Sequence, residues 1–234
     1  MIARLLFLIM LLPITATAGG GIVEAGYGPD VDVYPHRIMG DIYEKQVLRV
    51  VDADGVSHSL TLRDNVFEDI SPRVADMDGD GLGDVVVVET SVILGASLAI
   101  YSLGPDGLFK LAATPYIGRS SRWLAPAGIA DFDGDGQNDV AYVETPHLGK
   151  VLRFWTMRRG ELVQIAAASG LTNHRIGQEV ITSGVRDCAG AVEVVMATGD
   201  WRFIVATKFE EGGLEFSDLG QYSAQAMANA LVCG

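Results

Sequence analysis

The sequence predicts an all-β protein built from a repeated unit. Two nearly identical segments rich in aspartate and glycine begin at Asp76 and at Asp131. Each is followed by short apolar runs that alternate with glycine-bearing turns. No helical period longer than two turns precedes the C-terminal tail. A repeat length of about 50 residues is typical of β-propellers and related arrays, so we expect a propeller-like arrangement.

Each unit begins with an acidic loop and continues with three strands. The valine-rich runs that follow the loops suit strands covered on both faces, because they are apolar without alternation. The strands predicted for the first unit cover 85–88, 97–103 and 108–113, and those for the second cover 140–143, 150–156 and 162–168.

A degenerate third copy follows. The segment 184–187 aligns with 128–131, which is close to the same spacing, and strands are predicted over 191–197, 201–209 and 214–219. In this copy Cys188, Ala189 and Gly190 replace the carboxylate loop. We therefore expect it to keep the scaffold and to lack a metal.

A partial unit precedes the first acidic loop. It has a lead-in segment at 38–41 and strands over 46–51 and 56–62, and the acidic segment 52–55 between them is interpreted as a hairpin turn. A short helix is predicted over 223–231.

These boundaries define one propeller-like domain over 34–234, preceded by a poorly ordered segment at 19–33. Its repeats cover about 34–70, 71–125, 126–180 and 181–234. The chain holds about four blades at most, which is fewer than familiar propellers have. The sequence leaves open whether they form a small closed ring or an incomplete fan, and an open fan would have to cover its edges.

The two acidic segments have the chemistry of a cation site. Counted from Asp76 or Asp131, acidic residues occupy positions 1, 3, 5 and 9, and glycine occupies positions 4 and 6. Four carboxylates in one small loop repel each other unless a hard cation lies among them. All-oxygen ligands on a flexible loop favour calcium over magnesium. The alternative is a turn without metal, since aspartate and glycine are common in turns.

The spacing Asp-x-Asp-Gly-Asp-Gly-x-x-Asp, followed by an apolar strand, resembles the FG-GAP (VCBS-type) repeat. That repeat builds the β-propellers of integrin α-subunits and of many secreted bacterial proteins. The resemblance covers about 70–145 well and 180–219 weakly, and it implies two calcium ions. The ligands it implies are the side chains of Asp76, Asp78, Asp80 and Asp84 with the main-chain oxygen of Leu82, and the side chains of Asp131, Asp133, Asp135 and Asp139 with the main-chain oxygen of Gln137. An EF-hand or a dockerin fits less well, because position 12 is Val87 or Tyr142 and the flanks are predicted strands.

The N-terminal segment 1–18 has the pattern of a secretory signal peptide. Arg4 precedes a short apolar core at 5–12, and the Ala-Thr-Ala sequence at 16–18 provides a cleavage site. The full chain has a net charge of −13, and cleavage would remove one positive charge, Arg4, and no acidic side chain. Such an acidic chain is not expected to bind nucleic acid, and no span of the membrane is expected after cleavage. We expect a periplasmic or extracellular protein.

The chain has two cysteines, Cys188 and Cys233. In an oxidising compartment they are predicted to form a disulfide, and two buried free thiols are the alternative. Because Cys188 stands where the third copy has lost its carboxylates, the disulfide is interpreted as replacing the missing ion as a constraint on the last repeat.

The function that these observations favour is a non-catalytic, calcium-stabilised binding module whose partner is an unknown protein or carbohydrate. The alternatives are a carbohydrate-active hydrolase or lyase on a propeller scaffold, and a structural subunit that docks through an open sheet edge. No catalytic residue is predicted. His36, His147 and His174 are interpreted as loop histidines, and a pocket lined by His147, His174 and an unpaired carboxylate would favour the enzyme.

Overall fold

The computed structural model describes residues 20–188, 190–210 and 213–233. The predicted signal peptide at 1–18 lies outside these ranges. The described chain forms four antiparallel sheets and one short helix, which confirms the all-β class and the propeller-like array of sheets.

The first two sheets come from the N-terminal half. The first sheet has the order β1-β2-β3 and contains β1 Ile22–Tyr27, β2 Val47–Asp52 and β3 Ser57–Thr61. The second sheet has the order β4-β6-β7-β8, with β5 also paired to β6. Its strands are β4 Asn65–Phe67, β5 Arg73–Ala75, β6 Asp84–Ser91, β7 Gly95–Gly104 and β8 Gly107–Ala113.

The last two sheets repeat this plan. The third sheet has the order β9-β10-β11-β12 and contains β9 Leu124–Ala130, β10 Asp139–Glu144, β11 Val151–Arg158 and β12 Glu161–Ser169. The fourth has the order β13-β15-β16-β17, with β14 also paired to β15. Its strands are β13 Leu171–Thr172, β14 Gly184–Cys188, β15 Ala191–Thr198, β16 Phe203–Glu210 and β17 Gly213–Gln221, and helix α1 Ala224–Leu231 follows.

Alternate residues of the central strands enter different cores. In β6, Val85 and Val87 pack with the first sheet, whereas Val86 and Val88 pack with the third sheet. In β10, Val140 faces the second sheet, whereas Ala141 and Val143 face the fourth. This explains why these runs are apolar without alternation: a strand that is covered on both faces buries every side chain.

The sheets are stacked in sequence order. Three cores join the first sheet to the second, the second to the third and the third to the fourth. A fourth core joins the last sheet to helix α1, where Met227 and Ala230 pack against Val195, Ile204 and Ala206. Ser223 caps this helix by accepting a hydrogen bond from the Ala226 amide. Within the described residues, no core cluster joins the first sheet to the fourth.

Two expectations about local structure were incomplete. The segment Ile22–Tyr27, expected to be poorly ordered, forms β1, which pairs with β2. The glycines that suggested disorder precede the strand. The backbone N–H and C=O groups of β1 form hydrogen bonds with β2. Each acidic loop is also preceded by a strand, β5 or β9, and β4 pairs with β6 as well. The second sheet therefore has two more strands, and the third sheet one more, than the sequence indicated. These lead-in strands are short or glycine-containing, which hides them in the sequence pattern.

Candidate metal centre

Each acidic segment is the turn between two paired strands. The first joins β5 to β6 and the second joins β9 to β10. Ala75 pairs with Asp84 at the base of the first loop, and Ala130 pairs with Asp139 at the base of the second. The ladder therefore fixes the two ends of each loop at equivalent places in neighbouring sheets.

The two loops share one pattern of internal hydrogen bonds. In the first, the Gly79 and Gly81 amides donate to the two carboxylate oxygens of Asp76 at 2.8 and 2.9 Å. In the second, Gly134 and Gly136 donate to Asp131 at the same distances, 2.8 and 2.9 Å. All four glycines have positive φ, between 78° and 90°. Glycine adopts this conformation without steric cost, so the loop can fold back on the first aspartate.

The last carboxylate of each loop is the buried one. Asp84 and Asp139 are the first residues of β6 and β10, and their exposed fractions are 1% and 0%. Asp84 accepts a hydrogen bond from the Met77 amide at 3.0 Å, and Asp139 accepts one from the Phe132 amide at 3.1 Å. Burial is the main cause that raises the pKa of both carboxyl groups, because a charged group loses hydration there.

The loop geometry brings three carboxylates together at each site. One oxygen from each of Asp76, Asp78 and Asp84 lies within 4.8 Å of the other two. Asp131, Asp133 and Asp139 form the equivalent group. The two groups are the metal-compatible clusters found within the described residues.

The remaining expected ligands lie in the same loops but outside these groups. Asp80 accepts a hydrogen bond from the Leu82 amide at 2.8 Å, and Asp135 accepts one from the Gln137 amide at 2.9 Å. Each of these carboxylates therefore orders the residue whose main-chain oxygen is the other expected ligand. Whether Asp80, Asp135 and the two main-chain oxygens contact an ion stays a prediction.

The donor set fits a hard cation. All the converging atoms are carboxylate oxygens, the ligands that calcium prefers. The Oδ1 atom of Asp139 is buried, and the neighbouring Thr156 hydroxyl is a group that lowers the pKa of this carboxyl. One hydroxyl leaves other lone pairs of the buried carboxylate unpaired, and a bound cation would satisfy them.

The sequence did not predict a direct link between the loops. The side-chain amide of Asn138, in the second loop, donates to the main-chain oxygen of Asp76, in the first loop, at 2.9 Å. The loops are therefore neighbours across the boundary between two sheets. Asn138 is the residue just before the last carboxylate, and nothing in its position in the motif indicates an interaction with another repeat.

The degenerate third copy keeps part of this plan. The Gly190 amide donates to Asp187 at 2.9 Å, as Gly134 does to Asp131. Arg186 pairs in register with Glu193, so these two residues occupy the places of Ala130 and Asp139. The Arg186 guanidinium binds the Glu193 carboxylate at 2.6 Å. The disulfide between Cys188 and Cys233 is formed, with a Cα–Cα distance of 5.9 Å.

The fold and the paired carboxylate groups define a protein of stacked antiparallel sheets with repeated acidic loops. Residues 76–142 match the family described as FG-GAP-like repeat. The chain thus contains an FG-GAP-type repeat segment, as the resemblance of its acidic loops predicted. The match covers both acidic loops and the strands β6 to β9 between them.

Other comparisons add little to this assignment. No curated protein matches the chain in sequence. Its fold is similar to a solved chain described as "Complex structure of the fission yeast SREBP-SCAP binding domains", with 12% identity and a TM-score of 0.37. That alignment covers 93% of this chain and 54% of the other chain, so this chain spans about half of that structure's length. None of the helices in the described ranges has the length and apolar character needed to cross a membrane.

Proposed function

We propose that this chain is an exported, non-catalytic interaction module that binds one calcium ion in each of its two acidic loops. The observation that carries the proposal is the equivalence of the loops. Two neighbouring sheets place three carboxylates within 4.8 Å of one another at the same register. Random turn composition does not explain the same convergence twice, whereas a shared ligand does.

Calcium would act mainly on stability. Asp76, Asp78 and Asp84 would hold one ion, and Asp131, Asp133 and Asp139 the other, with the remaining loop oxygens completing the shell. A bound ion supplies the positive charge that offsets repulsion among the carboxylates. It would also fix the loops at the boundary between the second and third sheets, since Asn138 links the two loops there.

Export is supported by two independent features. The predicted signal peptide at 1–18 directs the chain out of the cytoplasm, and the disulfide between Cys188 and Cys233 belongs to an oxidising compartment. The role as an interaction module is supported by the FG-GAP-like repeat. The proposed partner is a protein or a carbohydrate.

The calcium proposal is tested by counting ions. Mature protein is dialysed against chelator and titrated with calcium by calorimetry, and the reloaded protein is analysed for metal content. We expect two ions per chain, one after Asp131→Asn and still two after Asp187→Asn, which alters the degenerate loop only. At about 100 times its dissociation constant, each ion should stabilise the fold by about 2.7 kcal/mol. A content of zero or three ions, or an unchanged melting curve in chelator, would contradict the proposal.

A further inference from the structure

A pocket of about 300 Å³ lies at the end of β10 opposite to its acidic loop. The strand begins at Asp139, in the loop, and ends at Glu144, just before the pocket residues Thr145 to Leu148. At the rise of an extended strand, the two ends of β10 lie about 17 Å apart. The pocket is therefore a separate feature from the proposed calcium centre and does not rest on the proposed function.

The pocket residue His147 contacts a histidine that does not line the pocket, His174, and His174 has a fixed tautomer. His174 is buried, and its Nε2 lies 2.7 Å from the main-chain oxygen of Gln178. Because a carbonyl can only accept, this nitrogen carries the proton, and the Nδ1 of the neutral His174 ring is an acceptor. That Nδ1 lies 3.0 Å from the Nε2 of His147, which must then be the donor. The Nδ1 of His147 is left as an acceptor.

His147 is held neutral as well as oriented. Burial lowers the pKa of His147 to about 4, and the adjacent His174 adds to the shift. Its ring lies nearly parallel to the indole of Trp123, with an interplanar angle of 13°. Among the described residues, the hydrogen bond made by the His147 ring joins Nε2 to His174, and none is made by Nδ1. The pocket therefore offers an imidazole nitrogen that accepts a hydrogen bond and cannot donate one.

A second imidazole is anchored in the same way. The Nδ1 of His36 lies 2.5 Å from the carboxylate of Glu68, which is fully buried and also accepts a hydrogen bond from Thr90 at 2.8 Å. The Nε2 of His36 is then the ring nitrogen available to the pocket. Both histidines are thus set by partners behind them, an arrangement that fixes a polar group before a ligand arrives.

The rest of the lining is mostly apolar. Ile38, Trp123, Pro146, Leu148 and Ile176 form the walls, and Arg122 is a half-buried cation among the lining residues. No aspartate or glutamate lines this pocket in the described structure, so it lacks the carboxylate pair that a typical glycosidase needs. A few oriented polar atoms in an apolar cavity are typical of a small-molecule site.

The backbone of the pocket wall is strained at two places. Ser121 and Thr145 have φ values of 55° and 45°, in the left-handed region. Thr145 is β-branched, and this conformation is unfavourable for such a residue by about 1–3 kcal/mol. Strained residues are concentrated at ligand sites because the surrounding structure must hold them. Both residues line the pocket directly.

We infer that this pocket binds a small hydroxylated aromatic acid. The aromatic ring would lie between the apolar walls, its phenolic hydroxyl would donate to Nδ1 of His147, and its carboxylate would face Arg122. The volume accommodates a single substituted ring. A sugar is disfavoured because it would place several hydroxyl groups against apolar walls, where each unpaired group is costly.

The test uses three probe molecules of similar shape with the mature, calcium-loaded protein. Binding of 4-hydroxyphenylacetate, 4-methoxyphenylacetate and phenylacetate is measured by ligand-observed NMR and calorimetry. We expect the hydroxylated probe to bind about fivefold more tightly than the other two, because only it can donate to His147. His147→Phe keeps a ring against Trp123 and should abolish this preference. His58→Phe, which alters a histidine of the first sheet, should leave it unchanged.

A second variant separates the anionic contact from the hydroxyl contact. Arg122→Gln should weaken all three probes by a similar factor and keep the preference for the hydroxyl group. Calcium content and the melting temperature of each variant are measured in parallel, so that a failure of folding or of the calcium sites is recognised. Equal binding of the three probes, no binding at a probe concentration of about 10 mM, or a preference that survives His147→Phe would overturn the inference.

Discussion

The acidic loop of the third sheet and the degenerate loop of the fourth solve the same electrostatic problem in different ways. In both sheets the strand that follows the loop has a carboxylate as its first buried residue. This residue is Asp139 in the third sheet and Glu193 in the fourth. In the third sheet the partner in register is Ala130, and Asp139 forms no ion pair among the described residues. In the fourth it is Arg186, whose guanidinium contacts the carboxylate directly. The chain supplies its own cation where we propose that the other loop takes one from solution.

This comparison extends the role of the disulfide. The bond from Cys188 to Cys233 ties the shortened loop to the chain just beyond helix α1. Arg186 also donates to the main-chain oxygen of Ala230 in that helix at 2.7 Å. The loop of the fourth sheet is therefore attached to the terminal helix by a covalent bond and by a charged hydrogen bond. The acidic loops of the second and third sheets are instead linked to each other through Asn138.

The largest effect should come from removing the internal cation. Arg186→Met leaves the Glu193 carboxylate buried without its charged partner, which should lower the free energy of unfolding by about 3–5 kcal/mol. Denaturant unfolding measures the change. The double variant with Glu193→Gln should recover most of the loss, because the buried charge is gone. If the single variant lost less than about 1 kcal/mol, the value of an exposed pair, Arg186 would not be acting in place of a metal ion.

Breaking the covalent link should have an effect of similar size. The disulfide closes a loop with a sequence separation of 45, and on the chain-entropy model its loss costs about 4 kcal/mol. After Cys233→Ser, hydrogen exchange should speed up in β14 and α1 and stay unchanged in the second sheet. Calcium content should remain at two ions. Peptide mapping of the non-reduced protein should show the Cys188–Cys233 link, and two thiols that alkylate freely would refute it.

The smallest expected effect is that of Asp139→Asn on stability. It is also the most specific, because calcium should decide whether the variant is more or less stable than the parent. Burial raises the pKa of Asp139, so without metal the native state holds this proton more tightly than the unfolded chain does. Its contribution to stability is then present at low pH and is lost as the pH rises through the raised pKa. Asp139→Asn should therefore leave the protein at pH 7 in chelator as stable as the parent or more so.

With calcium bound, the parent should become more stable than Asp139→Asn. The parent gains the binding energy of an ion that the variant cannot hold, and its melting temperature should exceed that of Asp139→Asn. Melting curves at pH 4 and pH 7, with calcium and with chelator, measure the difference in melting temperature between the parent and the variant under each condition. Asp187→Asn is the control, because that carboxylate is exposed in the degenerate loop and should show neither effect. A variant that is less stable than the parent in chelator at pH 7 would contradict this account of the buried carboxylate.

The sequence by itself determined the repeat, the strand class and the acidic loops. The alternate positions of the carboxylates and glycines are local features, and so short a loop needs only its own backbone to bring Asp76, Asp78 and Asp84 together. The apolar runs after the loops were sufficient to locate β6, β10 and β15, since strands buried on both faces carry a continuous signal. The two cysteines could be paired because the chain has no others.

Only the tertiary structure decided which residues face one another across repeats. Arg186 and Glu193 became partners through strand register, and Asn138 reached Asp76 because two sheets pack side by side. The pocket gathers His36, Trp123 and His147 from three connecting segments, and none of these residues belongs to a motif. Such contacts depend on distances between segments that are remote along the chain. Local sequence patterns do not encode those distances, which arise when the sheets bury their apolar faces together.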